Sequence, residues 1–350
     1  MNGAALLSYL PFGGLLILLS AAATWMLRRQ RRFLDMPNAR SSHAVPTPRS
    51  GGLAIVATAF AGVAALYALT DTAPAGEPYF LGFVVGNAVI VAVSLIDDWR
   101  AVGFRTKLAA QTACALAALW FGLVVETLPV PFLGPVDLGW AGYALTLLWI
   151  VGLTNAFNFM DGLDGLAGGT AAIVGLFFAL IAWRQGGQFV SLASLVVAAA
   201  CLGFLVFNFP PASIFMGDAG SQFIGFFFAV LALVAARPEA GDVPFLVMPL
   251  LFFHFLWDTA FTLVRRWRAG EDITQGHRGH LYQLFNRLGF SHRRVSLYHY
   301  GVTAMQGLAA LALVGLADKW RLLVFLPFVG WQTAYTVAVA RAARRRGLIP

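Results

Sequence analysis

The segment Tyr79-Phe-Leu-Gly-Phe-Val-Val-Gly-Asn-Ala-Val-Ile-Val-Ala-Val-Ser-Leu-Ile-Asp97-Asp98 decides the fold class. Its first 18 residues carry no charge, and a helix of that length matches the hydrocarbon core of a bilayer, which is roughly 30 Å thick. Two carboxylates follow directly. Because adjacent carboxylates repel each other, keeping both at a membrane boundary calls for a cation or for hydrogen-bond donors. The alternative is an ordinary solvated helix end.

The whole chain has the composition of a polytopic membrane protein. Of its 350 residues, 59% are hydrophobic and 11% are charged, and the mean hydropathy is +0.75, whereas soluble domains contain about 25% charged residues. The apolar runs predict an all-α fold of about eleven transmembrane helices in a single integral membrane domain, residues 1–350. The runs lie near residues 4–27, 51–70, 79–96, 107–125, 139–157, 167–183, 189–207, 221–236, 243–264, 298–317 and 320–340.

The basic residues predict the orientation of these helices, because Lys and Arg are retained on the cytoplasmic side of short loops. If the N-terminus is outside, the cytoplasmic segments together with Lys107 hold 20 of the 24 Lys and Arg residues, and the C-terminus is cytoplasmic. The first span has no basic residue before it, so we expect an anchor and not a cleaved signal. The net charge of +8 follows from this topology and from anionic lipid headgroups, and we expect no nucleic-acid partner.

Acidic residues cluster on the predicted cytoplasmic face, each where an apolar run ends. Several carboxylates at a basic membrane surface indicate a site for a divalent metal ion and an anionic, phosphorylated substrate. Lys107 is the only lysine on this face, and it either serves a phosphate as a compact point charge or snorkels at the start of a span. The acidic clusters are Asp97-Asp98, Asp161 with Asp164, and Asp218.

The densest motif runs from Thr154 to Gly169. Within it Asn155, Asn158, Asp161 and Asp164 recur at every third residue. On a helix this spacing gives a slowly drifting polar stripe, in which neighbouring members can share a ligand. The alternative is that these polar residues hold helices together, but two carboxylates are poorly suited to that role.

Asp218 lies between two glycines at the head of an apolar run. It is interpreted either as a helix cap or as a metal ligand aimed at a phosphate.

Two loops offer further donors to an anion. The proline-rich loop before residue 53 carries His43 and Arg49, and it either binds an anion or is a rigid connector. The last large loop carries His277, Arg278 and His280, which could bind a diphosphate. Zinc is a weak competitor here, because two histidines lack a clear third and fourth ligand.

Two pairs of residues inside the predicted spans have structural interpretations. His254 and Asp258 are four residues apart and so share a helix face, and we expect them to satisfy each other inside the membrane. Cys114 and Cys201 are expected to pack as small apolar side chains and not to form a disulfide.

The order of these motifs resembles that of the polyprenyl-phosphate N-acetylhexosamine-1-phosphate transferases. This superfamily includes phospho-MurNAc-pentapeptide transferase and the undecaprenyl-phosphate GlcNAc-1-phosphate transferases. The resemblance covers residues from about 28 to 283. The motifs that carry it are Pro37-Asn38-x-Arg40-Ser-x-His43, Pro46-Thr-Pro-x-x-Gly-Gly52, Asp97-Asp98, Lys107 with Gln111, Asn155-x-x-Asn158-x-x-Asp161-Gly-x-Asp164-Gly, Met216-Gly-Asp218-x-Gly-Ser221 and the histidine loop.

The resemblance implies a Mg²⁺-dependent enzyme, with Mn²⁺ as an alternative ion, in the bacterial cytoplasmic (inner) membrane. Such an enzyme transfers a sugar-1-phosphate from a UDP-N-acetylhexosamine to undecaprenyl phosphate, releases UMP, and has its active site on the cytoplasmic side. The family also leads us to expect a homodimer. A transporter or flippase for an anionic lipid or nucleotide sugar is the alternative, but it predicts repeated halves and polar groups throughout the bilayer.

The resemblance also implies roles for individual residues. Asp218 and Asp97 match the magnesium ligands, and Asp98 matches the residue that deprotonates or orients the lipid phosphate, or acts as a nucleophile. Arg278 is implied as a diphosphate contact. By the same resemblance, the residues that contact the uridine and phosphate end of the donor are Asn158, Asp161 and Lys107. Asp164 is implied to brace the site, and His277 and His280 occupy the histidine motif.

The histidine motif departs from the main branches of the superfamily. Those branches carry three consecutive histidines or His-x-His-His, whereas this chain has His277-Arg278-Gly279-His280. This form resembles the branch that initiates O-antigen-type chains with a 6-deoxy-N-acetylhexosamine such as FucNAc or QuiNAc. The peptidoglycan branch is disfavoured.

Overall fold

The computed structural model describes residues 9–30, 34–36, 45–72, 76–100 and 103–349, and these form a bundle of α-helices. Short 3₁₀ turns lie at Pro238–Ala240 and Leu322–Phe325. The helices are α1 Leu10–Leu27, α2 Gly52–Leu69, α3 Pro78–Arg100, α4 Phe104–Trp120, α5 Trp140–Phe159, α6 Leu166–Arg184, α7 Gln188–Asn208, α8 Gly217–Ala235, α9 Val247–Leu251, α10 Phe253–Arg268, α11 Leu281–Arg287, α12 His292–Val314, α13 Asp318–Arg321 and α14 Leu326–Arg345.

Nine helical segments within the described residues are long and apolar enough to cross a membrane, which confirms the predicted all-α polytopic fold. Two predicted spans fall outside these nine. The run at 107–125 forms α4, which has 17 residues, and the run at 243–264 is divided at Phe252 into α9 and α10. Pro249 lies just before this break and has no amide hydrogen to donate inside a helix. The count of eleven spans and the orientation remain predictions.

Helix α8 forms the centre of the bundle. In its 18-residue apolar window 94% of the residues are buried, and the helix packs against α2, α3 and α5. A helix that is apolar on all sides belongs in such a position. Because α8 is enclosed, Asp218 in its first turn is fixed near the middle of one end of the bundle.

Two short antiparallel strand pairs were not expected from the apolar runs. Strand β1, Leu34–Asp35, pairs with β2, Thr47–Pro48. Strands β3, Thr127–Val130, and β4, Gly134–Asp137, form a hairpin. Phe132 in the hairpin turn and Gly134 at the start of β4 have positive φ, 68° and 88°, and such residues complete three-residue hairpin loops.

The segment after β2 is attached directly to the start of α8. The amides of Gly51 and Gly52 donate to the carbonyls of Phe215 and Met216 at 2.9 and 2.8 Å. A Cβ on Gly52 would lie 2.5 Å from the Cα of Gly220, so only glycine permits this approach. The attachment brings Arg49 to the end of the bundle that holds Asp218.

Candidate active site

Helix ends from three sequence motifs place their charged side chains around one lysine. The Nζ atom of Lys107, in the first turn of α4, donates to Asp97 Oδ2 and to Asp218 Oδ2, each at 2.8 Å. Asp97 lies in the last turn of α3 and Asp218 in the first turn of α8. The structure therefore brings together residues that are up to 121 positions apart in the chain. We call this end of the bundle, with Asp97, Asp98, Lys107 and Asp218, the carboxylate end.

Asn158 holds the second oxygen of Asp218. Its Nδ2 atom donates to Asp218 Oδ1 at 3.3 Å and to Ser221 Oγ at 2.8 Å. Both oxygens of Asp218 thus have donors, which fixes the orientation of the carboxylate.

Asp98 occupies a separate position beside Arg49. The Arg49 guanidinium donates to the backbone carbonyl of Asp98 at 2.6 Å, and its Nε lies 4.0 Å from Asp98 Oδ1. The Ala219 amide donates to Asp98 Oδ2 at 3.2 Å. A small cavity of about 30 Å³ adjoins Asp98, and its walls include the apolar side chains of Leu53 and Leu95. One face of Asp98 is therefore apolar and the other is cationic.

A layer of side-chain amides lies one helical turn deeper in the bundle. Gln111 donates to Gln222 Oε1 at 3.0 Å, and Asn155 donates to Gln111 Oε1 at 2.6 Å. Gln111 follows Lys107 by four residues, Gln222 follows Asp218 by four, and Asn155 precedes Asn158 by three. Each amide therefore lies about one helical turn behind a residue that belongs to the carboxylate end or is bonded to it. Gln222 was not among the predicted site residues, although its spacing of four from Asp218 is a signal for it.

Asp161 lies in the turn between α5 and α6, next to α11. A Cβ on the neighbouring Gly162 would collide with the hydroxyl of Tyr282, and that hydroxyl donates to the Phe159 carbonyl at 2.9 Å. Burial, together with the negative charges of Asp218 and Asp98, raises the pKa of Asp161 well above its usual range. Asp161 therefore lies between the carboxylate end and the histidine loop. Tyr282 was not among the predicted site residues.

In the histidine loop, residues 277–280, two rings are stacked. The ring centroids of His277 and His280 lie 4.9 Å apart, and the Gly279 amide donates to His277 Nδ1 at 3.1 Å. Burial, together with charge repulsion from the nearby His280 and arginine side chains, lowers the pKa of His277 to about 4. His277 is thus neutral at physiological pH. Because its Nδ1 accepts, its proton is on Nε2, which can donate to a phosphate oxygen. The half-buried side chain of Arg278 lies in the same loop.

The predicted pairing of His254 with Asp258 is wrong. His254 Nδ1 lies 2.8 Å from the side-chain amide of Gln306, whereas Asp258 Oδ1 lies 3.0 Å from His280 Nδ1. Residues four apart share a helix face, but His254 and Asp258 each form a hydrogen bond to a residue outside α10 instead of to each other. Cys114 and Cys201 are buried and unpaired, as predicted.

Asp164 is bonded to residues other than those of the carboxylate end. Its Oδ2 accepts from the Ala212 amide at 3.1 Å, and its Oδ1 lies 3.1 Å from His292 Nδ1. Burial alone would raise the pKa of Asp164, but these hydrogen bonds outweigh it, so the pKa is lowered. His292 was not among the predicted site residues, and no motif in the sequence marks it. The predicted site residue His43 lies outside the described residues.

The described residues contain no group of three or more His, Cys, Asp or Glu side chains arranged to hold a metal ion. Asp97 and Asp218 nevertheless fit Mg²⁺, because their Oδ2 atoms converge on one ammonium. Mg²⁺ usually takes one or two protein carboxylates, together with waters and substrate phosphates. Carboxylates also suit Mn²⁺.

Comparison with known proteins gives a consistent group of relatives. Residues 80–236 match the model of glycosyl transferase family 4. The chain is 35% identical over 299 residues to the probable undecaprenyl-phosphate N-acetylglucosaminyl 1-phosphate transferase of Bacillus subtilis, covering 85% of this chain and 81% of the relative. It is 36% identical over 303 residues to the decaprenyl-phosphate N-acetylglucosaminephosphotransferase of Mycobacterium tuberculosis, covering 79% and 74%. It is 34% identical over 204 residues to the phospho-N-acetylmuramoyl-pentapeptide-transferase of Leuconostoc citreum, covering 55% and 63%.

Proposed function

Since this chain belongs to glycosyl transferase family 4, we propose that it transfers an N-acetylhexosamine-1-phosphate from a UDP-sugar to undecaprenyl phosphate and releases UMP. The relatives with the greater coverage are named for the transfer of N-acetylglucosamine phosphate to a polyprenyl phosphate. The observation that carries the proposal is the convergence of Asp97, Lys107 and Asp218 beside Asp98. Phosphoryl transfer needs such a concentration of ligands and cations.

Asp98 and Arg49 are suited to the phosphate of a lipid acceptor. Arg49 supplies a positive charge, and the apolar walls at Leu53 and Leu95 suit the first part of a polyprenyl chain. An oxygen of the lipid phosphate attacks the phosphorus that carries the sugar, and the bond from that phosphorus to the bridging oxygen breaks. UMP leaves with the electron pair, and Asp98 takes the proton of the lipid phosphate or orients that phosphate.

Asp97 and Asp218 would hold Mg²⁺ or Mn²⁺, which when bound neutralises the charge of the diphosphate. Asn158 orients Asp218 for this role. Lys107, which bridges the two carboxylates, supplies a cation for a phosphate oxygen of the donor.

The histidine loop and Asp161 form the donor end of the site. The Nε2–H of His277 and the guanidinium of Arg278 are donors for the diphosphate. UDP-GlcNAc is the first candidate, because the relatives' names specify N-acetylglucosamine, and a 6-deoxy-N-acetylhexosamine is the competing donor. The product would initiate O-antigen or a related polysaccharide in the bacterial cytoplasmic membrane, with the site facing the cytoplasm.

A UMP-release assay on purified protein tests this proposal. The reaction contains undecaprenyl phosphate, Mg²⁺ and, in turn, UDP-GlcNAc, UDP-GalNAc, UDP-FucNAc or UDP-QuiNAc. We expect release that depends on both lipid and metal with one donor of this panel. If folded protein releases no UMP with any of the four, the proposal fails, and lipid-flipping assays would examine the transporter alternative.

A further inference from the structure

Asp258 lies apart from the carboxylate end, yet it is bonded to the histidine loop. The residue is 3% exposed and lies on the buried face of α10. Its carboxylate accepts from His280 Nδ1 and from the amides of Leu281 and Tyr282, each at 3.0 Å, and from Thr262 Oγ1 at 3.1 Å. Three of the four donors belong to the loop and to the start of α11. A buried carboxylate with this set of donors organises the segment that supplies them.

We propose that Asp258 is a positioning residue that holds the histidine loop in its donor-binding conformation. This inference rests on the proposed function, which assigns the loop to the diphosphate. The bond to Nδ1 fixes the ring of His280, so its Nε2 is the nitrogen left for a ligand. The ring of His277 stacks on this fixed ring.

The face of α10 that carries Asp258 also holds the histidine loop and the segment that leads into it. Arg265 donates to the Gly279 carbonyl at 2.8 Å, and Arg266 donates to the carbonyls of Asp272 and Gln275 at 2.7 and 3.1 Å. Asp258, Arg265 and Arg266 are spaced at i, i+7 and i+8, which places them on one helix face. This face is therefore a scaffold for the loop.

The connection continues from the start of α11 to the carboxylate end. Tyr282 donates its amide to Asp258 Oδ2 and its hydroxyl to the Phe159 carbonyl. Phe159 directly follows Asn158, which binds Asp218. A substitution at Asp258 should therefore weaken the binding of the donor and not only lower the stability of the bundle.

The test compares Asp258→Asn, which keeps the size of the side chain but removes its charge, with Thr259→Val. Thr259 is the adjacent residue, and its buried hydroxyl has no hydrogen-bond partner among the described residues. In Asp258→Asn we expect amide hydrogen exchange at Leu281 and Tyr282 to be about tenfold faster. The KM for the UDP-sugar should rise about tenfold with a small change in the KM for undecaprenyl phosphate. Thr259→Val should match the wild type in both measurements.

Unchanged exchange at Leu281 and Tyr282, or an equal rise in both KM values, would overturn the proposal. If Asp258→Asn does not fold, Thr262→Val can replace it, because this variant removes one of the four bonds to Asp258. In Thr262→Val the KM for the UDP-sugar should rise about threefold while the KM for undecaprenyl phosphate changes little. No such difference between the two KM values would also overturn the proposal. The exchange measurement needs no substrate. If the wild type releases no UMP, the proposed function fails. The role of Asp258 in positioning the loop is then still decided by the exchange measurement.

Discussion

Lys107 is the residue on which the charge balance of the carboxylate end depends. Without its ammonium, Asp97 and Asp218 would face each other with no shared cation. We expect Lys107→Ala to lower UMP release about 100-fold and to lower the melting temperature, because the two carboxylates then repel each other. Millimolar Mg²⁺ should restore the melting temperature of this variant more than it raises that of the wild type.

The second lysine of the chain provides a matched control for this experiment. Lys319 lies near the other end of the bundle and contacts the ring of Trp320. Lys319→Ala should keep wild-type activity and wild-type sensitivity to Mg²⁺. If both substitutions change activity and melting temperature equally, the position of Lys107 between the two carboxylates does not determine either property.

Asp98 is the second residue with a specific prediction. Asp98→Asn can still accept from the Ala219 amide, so the local fold should persist, but it cannot take a proton. We expect turnover to fall by about 10³-fold in membranes while expression stays normal. Asp71→Asn, at the opposite end of the bundle, serves as the control. Substantial activity in Asp98→Asn would remove this residue from the mechanism.

At the scale of elements, Asp164 connects three segments that the sequence keeps apart. It links the turn after α5 to the segment before α8 through Ala212, and to α12 through His292. The lowered pKa of Asp164 means that its contribution to stability is complete above the ordinary value near pH 3.9 and is lost as the pH falls through the folded-state pKa.

Thermal unfolding of Asp164→Asn tests this link. The variant should melt below the wild type at pH 6, and the difference between the two should shrink as the pH falls below about 4. The comparison with the wild type at each pH cancels the titration of groups that do not contact Asp164; His292, which does, belongs to the link under test. A difference that stays constant down to acid pH would contradict the assignment.

The helices and the motifs at their ends could be predicted from the sequence, whereas their lateral contacts could not. Apolar runs define α3, α5 and α8 because length and hydropathy are local properties. Three of the four bonds to Asp258 come from residues about twenty positions further along the chain, so the helical spacing that paired it with His254 was misleading. The break at Phe252 and the hairpin of β3 and β4 also depend on turn geometry and packing that a hydropathy pattern does not contain.

At the scale of the whole molecule, the predicted orientation can be tested with single cysteines. Cys114 and Cys201 are 5% and 0% exposed, so the wild-type chain should not react with a maleimide. Leu133→Cys in the hairpin and Ile273→Cys near the histidine loop replace side chains that are 77% and 44% exposed. A membrane-impermeant maleimide should label Leu133→Cys in intact cells and Ile273→Cys only after permeabilisation. The opposite pattern would invert the predicted topology.

The bridge from Lys107 to two carboxylates has a consequence for how ligands enter. Asp97 and Asp218 already possess a monovalent counter-ion that belongs to the chain, so a divalent ion that bound these carboxylates would have to exchange with it. The displaced ammonium would then be available to the diphosphate of the proposed nucleotide sugar. We therefore expect cooperative entry, in which the divalent ion and the nucleotide sugar each raise the affinity of the site for the other by the same factor.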